Sequence, residues 1–215
     1  MATQADLVQT LRLEHIADER VIDAFAAVPR AEFVPPELAA RAYVDVPIPI
    51  PHGQVTTQPS LVARMLEALA LTGSERVLEI GTGYGFQTAL LARLAEEVFS
   101  VERWADLAET ARASLGRLGI DNAEIVVGDG SEGLPERAPF EAVVVSAAFP
   151  SVPPPLEQQL APGGRLVQPI GHGGNEDVVL FERETEALVR RRSLTGAHFV
   201  RLVGRHGFDE RAERA

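Results

Sequence analysis

The sequence predicts a single α/β domain built on a doubly wound, mostly parallel sheet whose C-terminal strands run antiparallel. Short apolar runs typical of strands buried on both faces alternate with stretches of helical spacing. A glycine-rich turn, residues 81–85, joins one such strand to the helix after it. Strand-like runs without a convincing helix fill the chain beyond residue 177, which favours an antiparallel finish to the sheet.

The N-terminal part of the chain is predicted to consist of helices and loops. Apolar residues at mostly helical spacing over about 6–28 indicate one or two helices, and a proline ends them. Residues 30–36 are too rich in proline to continue as helix. Alternating prolines within 43–51 predict a stiff extended segment at the surface or an edge, and not a central strand. An amphipathic helix follows over 61–69.

The rest of the chain is predicted to alternate strands and helices until its antiparallel end. Proline favours the start of a short helix after 153–155, and residues 161–164 are expected to end it. The predicted helices are 86–94, 104–118 and the short one ending near 160. The predicted strands are 77–80, 97–102, 123–127, 141–146 and 165–169, followed by antiparallel runs at 178–181, 187–192 and 198–203.

Composition limits the classes of function. A length of 215 residues suits one sizeable core, and no apolar run or N-terminal pattern indicates a membrane span or export, so a cytoplasmic location is expected. The chain has no cysteine, which excludes disulfides and thiolate metal sites, and no lysine, which excludes Schiff-base chemistry. Its net charge of −11 argues against a nucleic-acid partner. The scattered histidines predict no metal site.

The glycine-rich turn predicts a site for a nucleotide-like ligand. Gly81, Gly83 and Gly85 permit positive φ and close approach to the backbone, and the free N–H groups of the next helix favour a polar or anionic group. Dinucleotide and S-adenosylmethionine sites share this pattern. Phe86 replaces the third small residue of a dinucleotide site, and Glu79 suits a cationic sulfonium, so the methyl donor is favoured. A nicotinamide-dependent oxidoreductase and a non-catalytic donor-binding protein are the alternatives.

Three further residues are candidate ligands. Glu102 ends a buried strand about 20 residues beyond the first glycine, where such folds place the carboxylate that accepts ribose hydroxyls. Asp129 can present its carboxylate to an adenine amino group or form an Asx-type turn, and the residues alone favour neither. Thr57 can cap the helix that follows or touch a ligand, and spacing alone favours capping.

Several segments together resemble the protein-L-isoaspartate O-methyltransferase family. The likeness covers nearly the whole chain. The segment 53–59, G-Q-x-x-[ST]-Q-P, is characteristic of that family, whereas the glycine motif is general to methyltransferases. The segments that carry the resemblance are 30–35, 42–45, 53–59, 77–89, 98–102, 128–130 and 160–167.

The resemblance implies a Rossmann-like methyltransferase domain over residues 1–215, with 1–60 contributing to the acceptor site. Such enzymes transfer the methyl group of S-adenosylmethionine to the free α-carboxylate of an L-isoaspartyl residue in a damaged protein or peptide. S-adenosylhomocysteine is the other product, and the ester cyclises to a succinimide, which leads to repair. A carboxylate is ionised at neutral pH, so no general base is required. The expected partners are isoaspartyl peptides and proteins, and a monomer without nucleic-acid or membrane partners is expected.

The resemblance also assigns roles to single residues. Thr57 takes the place of the catalytic hydroxyl, and substrate contacts are expected from Thr57, Thr56 and Val203. His52 is a further candidate substrate contact because it adjoins this segment, and the alternative is a residue of a solvent-exposed loop. The expected cofactor-binding residues are Gly81, Thr82 and Gly83 around the amino-acid end of the donor, Glu79 behind that turn, Glu102 at the ribose, and Asp129 with Gly130 at the adenine.

Departures from the family pattern leave one alternative open. Tyr84, Phe86, Val55 and the pair Pro51 and His52 replace the residues usual at these positions. Related enzymes methylate aspartyl residues of ribosomally made peptides during maturation. A methyltransferase dedicated to one aspartyl or isoaspartyl site in such a peptide is therefore the alternative to a general repair enzyme.

Overall fold

The computed structural model describes residues 2–172, 174–185 and 187–209 of the chain. A seven-stranded sheet has the order β5-β4-β3-β6-β7-β8-β9, and β1 and β2 form a separate hairpin. The strands are β1 Ile48–Ile50, β2 Gln54–Thr56, β3 Arg76–Ile80, β4 Glu97–Glu102, β5 Ala123–Val127, β6 Phe140–Val145, β7 Leu160–Ile170, β8 Glu176–Arg183 and β9 Leu188–Ala197. The helices are α1 Gln4–Leu13, α2 Glu19–Ala27, α3 Pro59–Leu69, α4 Phe86–Leu94, α5 Ala105–Arg117 and α6 Pro154–Gln159.

The predicted fold class is confirmed. Strands β3 to β7 pair in parallel, whereas β8 and β9 are antiparallel to their neighbours. Helices cover both faces of the sheet, because alternate residues of β3 belong to two different apolar cores. Val77 packs in the core that contains α1 to α5, whereas Leu78 and Ile80 pack in the core under α6.

Two helices form the predicted N-terminal helical region. The chain turns between them at His15, which has a φ of 63°. Asp18 then caps α2, because its side chain accepts a hydrogen bond from the backbone N–H of Arg20. The proline-rich segment that follows forms β1, which pairs only with β2 and stays outside the main sheet. This agrees with the prediction of an extended edge segment.

The C-terminal part of the fold departs from the prediction in two places. Residues 161–164, predicted to separate α6 from the next strand, lie within β7 as an irregularity, because pairing with β6 starts at Leu160 and resumes at Arg165. The prediction of a strand over 198–203 is wrong. That segment crosses the carboxyl end of the sheet instead and hydrogen-bonds on both sides of Ala148, which fixes it as one wall of a cavity.

None of the helices within the described ranges is long and apolar enough to cross a membrane. In the same part of the chain, no group of three or more histidine and acidic side chains is arranged to hold a metal ion.

Candidate functional site

A cavity of about 480 Å³ lies at the carboxyl ends of β3, β4 and β6. The chain leaves β3 towards β4 on one side, and β6 pairs on the other, so the cavity occupies the switch point where open α/β sheets bind ligands. Its walls are the glycine-rich turn, the end of β4, the segment from β2 into α3, and residues 195–203. Most predicted site residues therefore line one cavity, although they come from distant parts of the chain, whereas Glu79, Asp129 and His52 do not line it.

The glycine-rich turn has the backbone that the sequence predicts. Gly81, Gly83 and Gly85 have φ of 94°, 55° and 90°, a region that other residues rarely adopt. A Cβ atom at Gly81 would lie 3.4 Å from the Cβ of Ser146, at the end of β6. The turn is tied to β4, since the N–H of Gly81 donates to the carbonyl of Val101 at 2.9 Å. Gly81, Thr82 and Gly83 line the cavity.

Glu79 supports this turn from behind the cavity wall. Its carboxylate is fully buried and accepts hydrogen bonds from Thr88 at 2.5 Å, Ser100 at 2.6 Å and Gln87 at 3.0 Å. The hydroxyl of Ser100 is in turn 2.5 Å from the hydroxyl of Thr82, so the network connects Glu79 to a residue that lines the cavity. Burial raises the pKa of Glu79 to about 7, although its three hydrogen bonds oppose that shift.

The raised pKa of Glu79 predicts a pH-dependent stability. The pKa is about 7 in the folded chain and near 4.5 in the unfolded chain. The contribution of Glu79 to the free energy of unfolding is therefore complete below pH 4.5 and is lost as the pH rises through 7. We expect the free energy of unfolding of the wild type to fall by about 3 kcal/mol relative to Glu79→Gln between pH 4.5 and 8. Urea unfolding at four pH values measures this difference. Glu109→Gln, exposed on α5, serves as the control, and a pH-independent difference for Glu79→Gln would contradict the assignment.

Glu102 lies at the end of β4 and lines the cavity. One carboxylate oxygen accepts the N–H of Gly83 at 2.8 Å, and the other accepts the N–H of Trp104 at 3.0 Å. Burial raises the pKa of Glu102 despite these two backbone hydrogen bonds. Each oxygen of a carboxylate can accept a further hydrogen bond, so the fixed group remains able to bind a vicinal diol.

Asp129 forms the Asx-type turn that was one of its two predicted roles. Its Oδ1 accepts the N–H of Ser131 at 2.9 Å, and its Oδ2 accepts the N–H of Arg205 at 2.7 Å. Burial pushes the pKa of Asp129 up, but the hydrogen bonds outweigh burial and leave it below the ordinary value. Gly130 lines the main cavity, whereas Asp129 borders an adjoining hollow near Val203. The predicted contact of Asp129 with adenine stays a prediction.

The segment that carries Thr57 is held by a buried arginine that the sequence reasoning missed. Arg30 is fully buried, and its two terminal nitrogens donate five hydrogen bonds of 3.0 to 3.1 Å. Two of these go to the hydroxyl of Thr56 and the carbonyl of Thr57. The others go to the carbonyls of Ala42, Val44 and Val46. Burial lowers the pKa of Arg30 to about 10, so the guanidinium stays charged at neutral pH.

Thr57 does not cap the helix that follows it. The N-cap of α3 is Gln58, and the first-turn N–H of Ser60 donates to the Oδ1 of Asp45 at 2.8 Å, so the interpretation of Thr57 as a cap is wrong. Thr57 instead lines the cavity, as Thr56 does. The hydroxyl of Thr56 already accepts a hydrogen bond from Arg30. Ser60 and Ser146 also line it and were not predicted, because neither belongs to a motif that sequence spacing singles out.

The two remaining predicted substrate contacts have different positions. Val203 is buried and lines the cavity. His52 is not among the residues that line it. Its imidazole stacks on Trp104 and contacts Asp106 outside the cavity, so the geometry gives no support to the predicted substrate contact of His52.

Comparison with known proteins identifies the family. The sequence profile of the family described as protein-L-isoaspartate(D-aspartate) O-methyltransferase matches residues 2–207. The chain belongs to this family. It is 52% identical over 200 residues to a protein-L-isoaspartate O-methyltransferase of Anaeromyxobacter dehalogenans, covering 92% of this chain and 96% of that protein. It is 48% identical over 198 residues to one of Methanoculleus marisnigri, covering 92% and 90%.

Solved structures of this methyltransferase family have the same fold. One protein-L-isoaspartate O-methyltransferase, 29% identical, superposes with a TM-score of 0.83 over 95% of this chain and 67% of that chain. A Plasmodium falciparum structure described as a family member in complex with S-adenosyl-L-homocysteine, 22% identical, superposes with a TM-score of 0.81 over 94% of this chain and 99% of that chain. Family membership decides against the nicotinamide-dependent oxidoreductase and the non-catalytic alternative.

The cofactor is therefore S-adenosylmethionine, and the cavity residues fit it. A fixed carboxylate, Glu102, faces the cavity from the end of the strand next to the glycine-rich turn. Gly81 and Gly83 place no side chain in the space beside it. Glu102 and the backbone of this turn are the groups that would hold the ribose and the amino-acid end of the donor.

Proposed function

We propose that this methyltransferase methylates the free α-carboxylate of L-isoaspartyl residues in damaged proteins and peptides, so that the ester cyclises to a succinimide and repair follows. The observation that carries the proposal is that Thr57 of the family-specific segment shares one cavity with Gly83 and Glu102 of the donor end. A donor site and a positioned hydroxyl in one cavity are what transfer to a carboxylate requires.

Methyl transfer to a carboxylate requires the protein mainly to position the two reactants. S-adenosylmethionine supplies an electrophilic methyl group when bound. The acceptor carboxylate is ionised at neutral pH and needs no base. The hydroxyl of Thr57 donates a hydrogen bond to one carboxylate oxygen, which leaves the other oxygen aimed at the donor end. Arg30 fixes the backbone of Thr57, and the hairpin β1–β2 limits water around two charged groups.

A pair of matched peptides tests the proposed substrate. The two peptides differ only in having L-isoaspartate or L-aspartate at one position, and both are incubated with donor labelled in the methyl group. We expect base-labile label on the isoaspartyl peptide alone. Equal labelling of both peptides, or none, would overturn the proposal. Activity confined to one ribosomally made precursor would favour the dedicated maturation enzyme instead.

The role of Thr57 is tested by a variant of the same shape. Thr57→Val removes the hydroxyl and keeps the volume, so we expect kcat to fall roughly 10- to 100-fold, the value of one hydrogen bond to a charged group. Donor affinity should stay within about twofold, because Thr57 is placed on the acceptor side. Thr57→Ser restores a hydroxyl and should recover most of the rate. Full activity of Thr57→Val would remove this role.

The setting of the reaction is also proposed. We infer a monomer that acts in the cytoplasm on exposed peptide segments without nucleic-acid partners. The net charge of −11 supports the absence of nucleic-acid partners, since a phosphate backbone would be repelled. We also propose that residues 1–215 act as one domain to which 1–60 contribute the acceptor side. Glu14, Pro47 and Gln54 from that segment line the cavity.

A further inference from the structure

The tip of the β1–β2 hairpin is fastened to the start of α5 by side chains. The imidazole of His52 lies flat on the indole of Trp104, with ring centroids 3.9 Å apart and planes 4° apart. The Nε2 atom of His52 lies 2.8 and 3.0 Å from the two carboxylate oxygens of Asp106. One side chain thus makes a stacked contact and a hydrogen-bonded contact at once.

The backbone and the charges at the tip are arranged for this contact. His52 has a φ of 61°, in the left-handed region that disfavours a side chain, so its contacts must offset some strain. The hydrogen bond from His52 is the main reason that the pKa of Asp106 is lowered. The guanidinium of Arg103 lies 4.9 Å from the centroid of the Trp104 ring and makes a cation–π contact with the same indole.

This fastening joins two walls of the cavity. Gln54, two residues after His52, lines one wall, and Glu102, two residues before Trp104, lines the other. The hairpin also lies against the donor turn, since a Cβ on Gly83 would be 3.4 Å from the Cδ1 of Ile50. Neither His52 nor Trp104 lines the main cavity, although Trp104 borders the adjoining hollow together with Asp129.

The two ends of the hairpin are held differently. Its base is fixed by the buried Arg30, which bonds to Thr56 and Thr57. Its strands pair only with each other and not with the main sheet. The tip contact is partly exposed, with 31% of the His52 side chain and 62% of the Asp106 side chain accessible. The tip can therefore open while the base and Thr57 stay in place.

We propose that His52, Trp104 and Asp106 form a clasp that holds the hairpin over the donor end of the cavity and sets the rate at which donor and product exchange. The inference rests on the proposed placement of the donor beside Gly83 and Glu102. His52 is then a positioning residue for the donor site and does not contact the acceptor.

The single tryptophan of the chain makes the clasp directly observable. Trp104 emission of the free protein reports whether the stack is present, because there is no other indole. Stopped-flow chase of bound S-adenosylhomocysteine with excess unlabelled donor then gives the dissociation rate. The test uses His52→Ala, which removes both contacts, His52→Phe, which keeps a stacked ring, and Asp106→Asn, which keeps the stack without the charged partner.

We expect S-adenosylhomocysteine to dissociate roughly 3- to 10-fold faster from His52→Ala, which loses one aromatic stack and one exposed hydrogen bond to a carboxylate. His52→Phe and Asp106→Asn should each give a smaller increase. His52→Gly removes the same contacts and also the strain of a side chain at positive φ. Its dissociation rate should match that of His52→Ala if the loss of the side-chain contacts, and not the relief of backbone strain, causes the increase. His15→Ala is the matched control, since His15 is also exposed and has a φ of 63° in the turn between α1 and α2.

The outcomes separate the clasp from the donor site. An altered Trp104 emission with an unchanged dissociation rate in His52→Ala would overturn the clasp while leaving the donor site intact. A wild-type emission spectrum in His52→Ala would overturn the stack itself. Unchanged donor affinity in Glu102→Gln would instead overturn the placement of the donor on which the clasp depends.

Discussion

Replacing Arg30 with methionine should lower the free energy of unfolding by about 3 to 5 kcal/mol and remove most of the methyltransferase activity. The methionine fills much of the volume but donates none of the five hydrogen bonds, and buried carbonyls left without donors cost about 1 kcal/mol or more each. The carbonyls of Val46 and Thr57 lose a common donor, so the segment that carries Thr57, the proposed catalytic residue, should lose its fixed position.

Thermal unfolding and steady-state kinetics measure the two effects of Arg30→Met. For a chain of this size the destabilisation corresponds to a fall of about 10 °C in Tm. Arg30→Lys keeps the charge but cannot reproduce a planar fork of donors, so an intermediate loss is expected. Arg41→Met, exposed nearby, is the control and should stay within about 0.5 kcal/mol. A loss below 1 kcal/mol in Arg30→Met would show that the carbonyls find other donors.

Replacing Glu102 with glutamine should weaken binding of S-adenosylhomocysteine by roughly 30- to 1000-fold. Hydrogen bonds to a charged group are worth about 1.5 to 3 kcal/mol each, against about 0.5 to 1.5 kcal/mol for neutral ones, and in the proposed donor site both ribose hydroxyls face this carboxylate. The structure adds a second cost. Both oxygens of Glu102 already accept a backbone N–H, from Gly83 and Trp104, so the amide nitrogen of glutamine must face one of these donors.

Calorimetric titration with S-adenosylhomocysteine measures the Glu102→Gln effect without any acceptor peptide. Glu97→Gln, at the opposite end of β4 and on the surface, is the matched control and should leave affinity within about twofold. An equally small change in Glu102→Gln would place the ribose elsewhere.

Local sequence patterns were sufficient to predict the glycine-rich turn and the position of Glu102. The strand β3, the glycines after it and the helix α4 are consecutive in the chain, and each follows from hydrophobic period or from the φ that only glycine adopts readily. Glu102 follows from the same logic, because a parallel strand presents its last residue at the edge where the previous strand ends. These features depend on near neighbours and on a sheet geometry common to the class.

The acceptor half required the tertiary structure, because its interactions span long sequence separations. Arg30 reaches residues up to 27 positions away, and no periodic pattern marks an arginine as buried. Thr57 has the spacing of a helix cap, and only the structure shows that Gln58 is the N-cap of α3 and that Thr57 lines the cavity. His52 meets Asp106 across 54 positions, and residues 198–203, strand-like in composition, cross the sheet end because Ala148 supplies their hydrogen bonds. The sequence by itself thus determined the fold class and the glycine-rich turn, whereas only packing between distant segments decided how Thr57 and the β1–β2 hairpin are held in place.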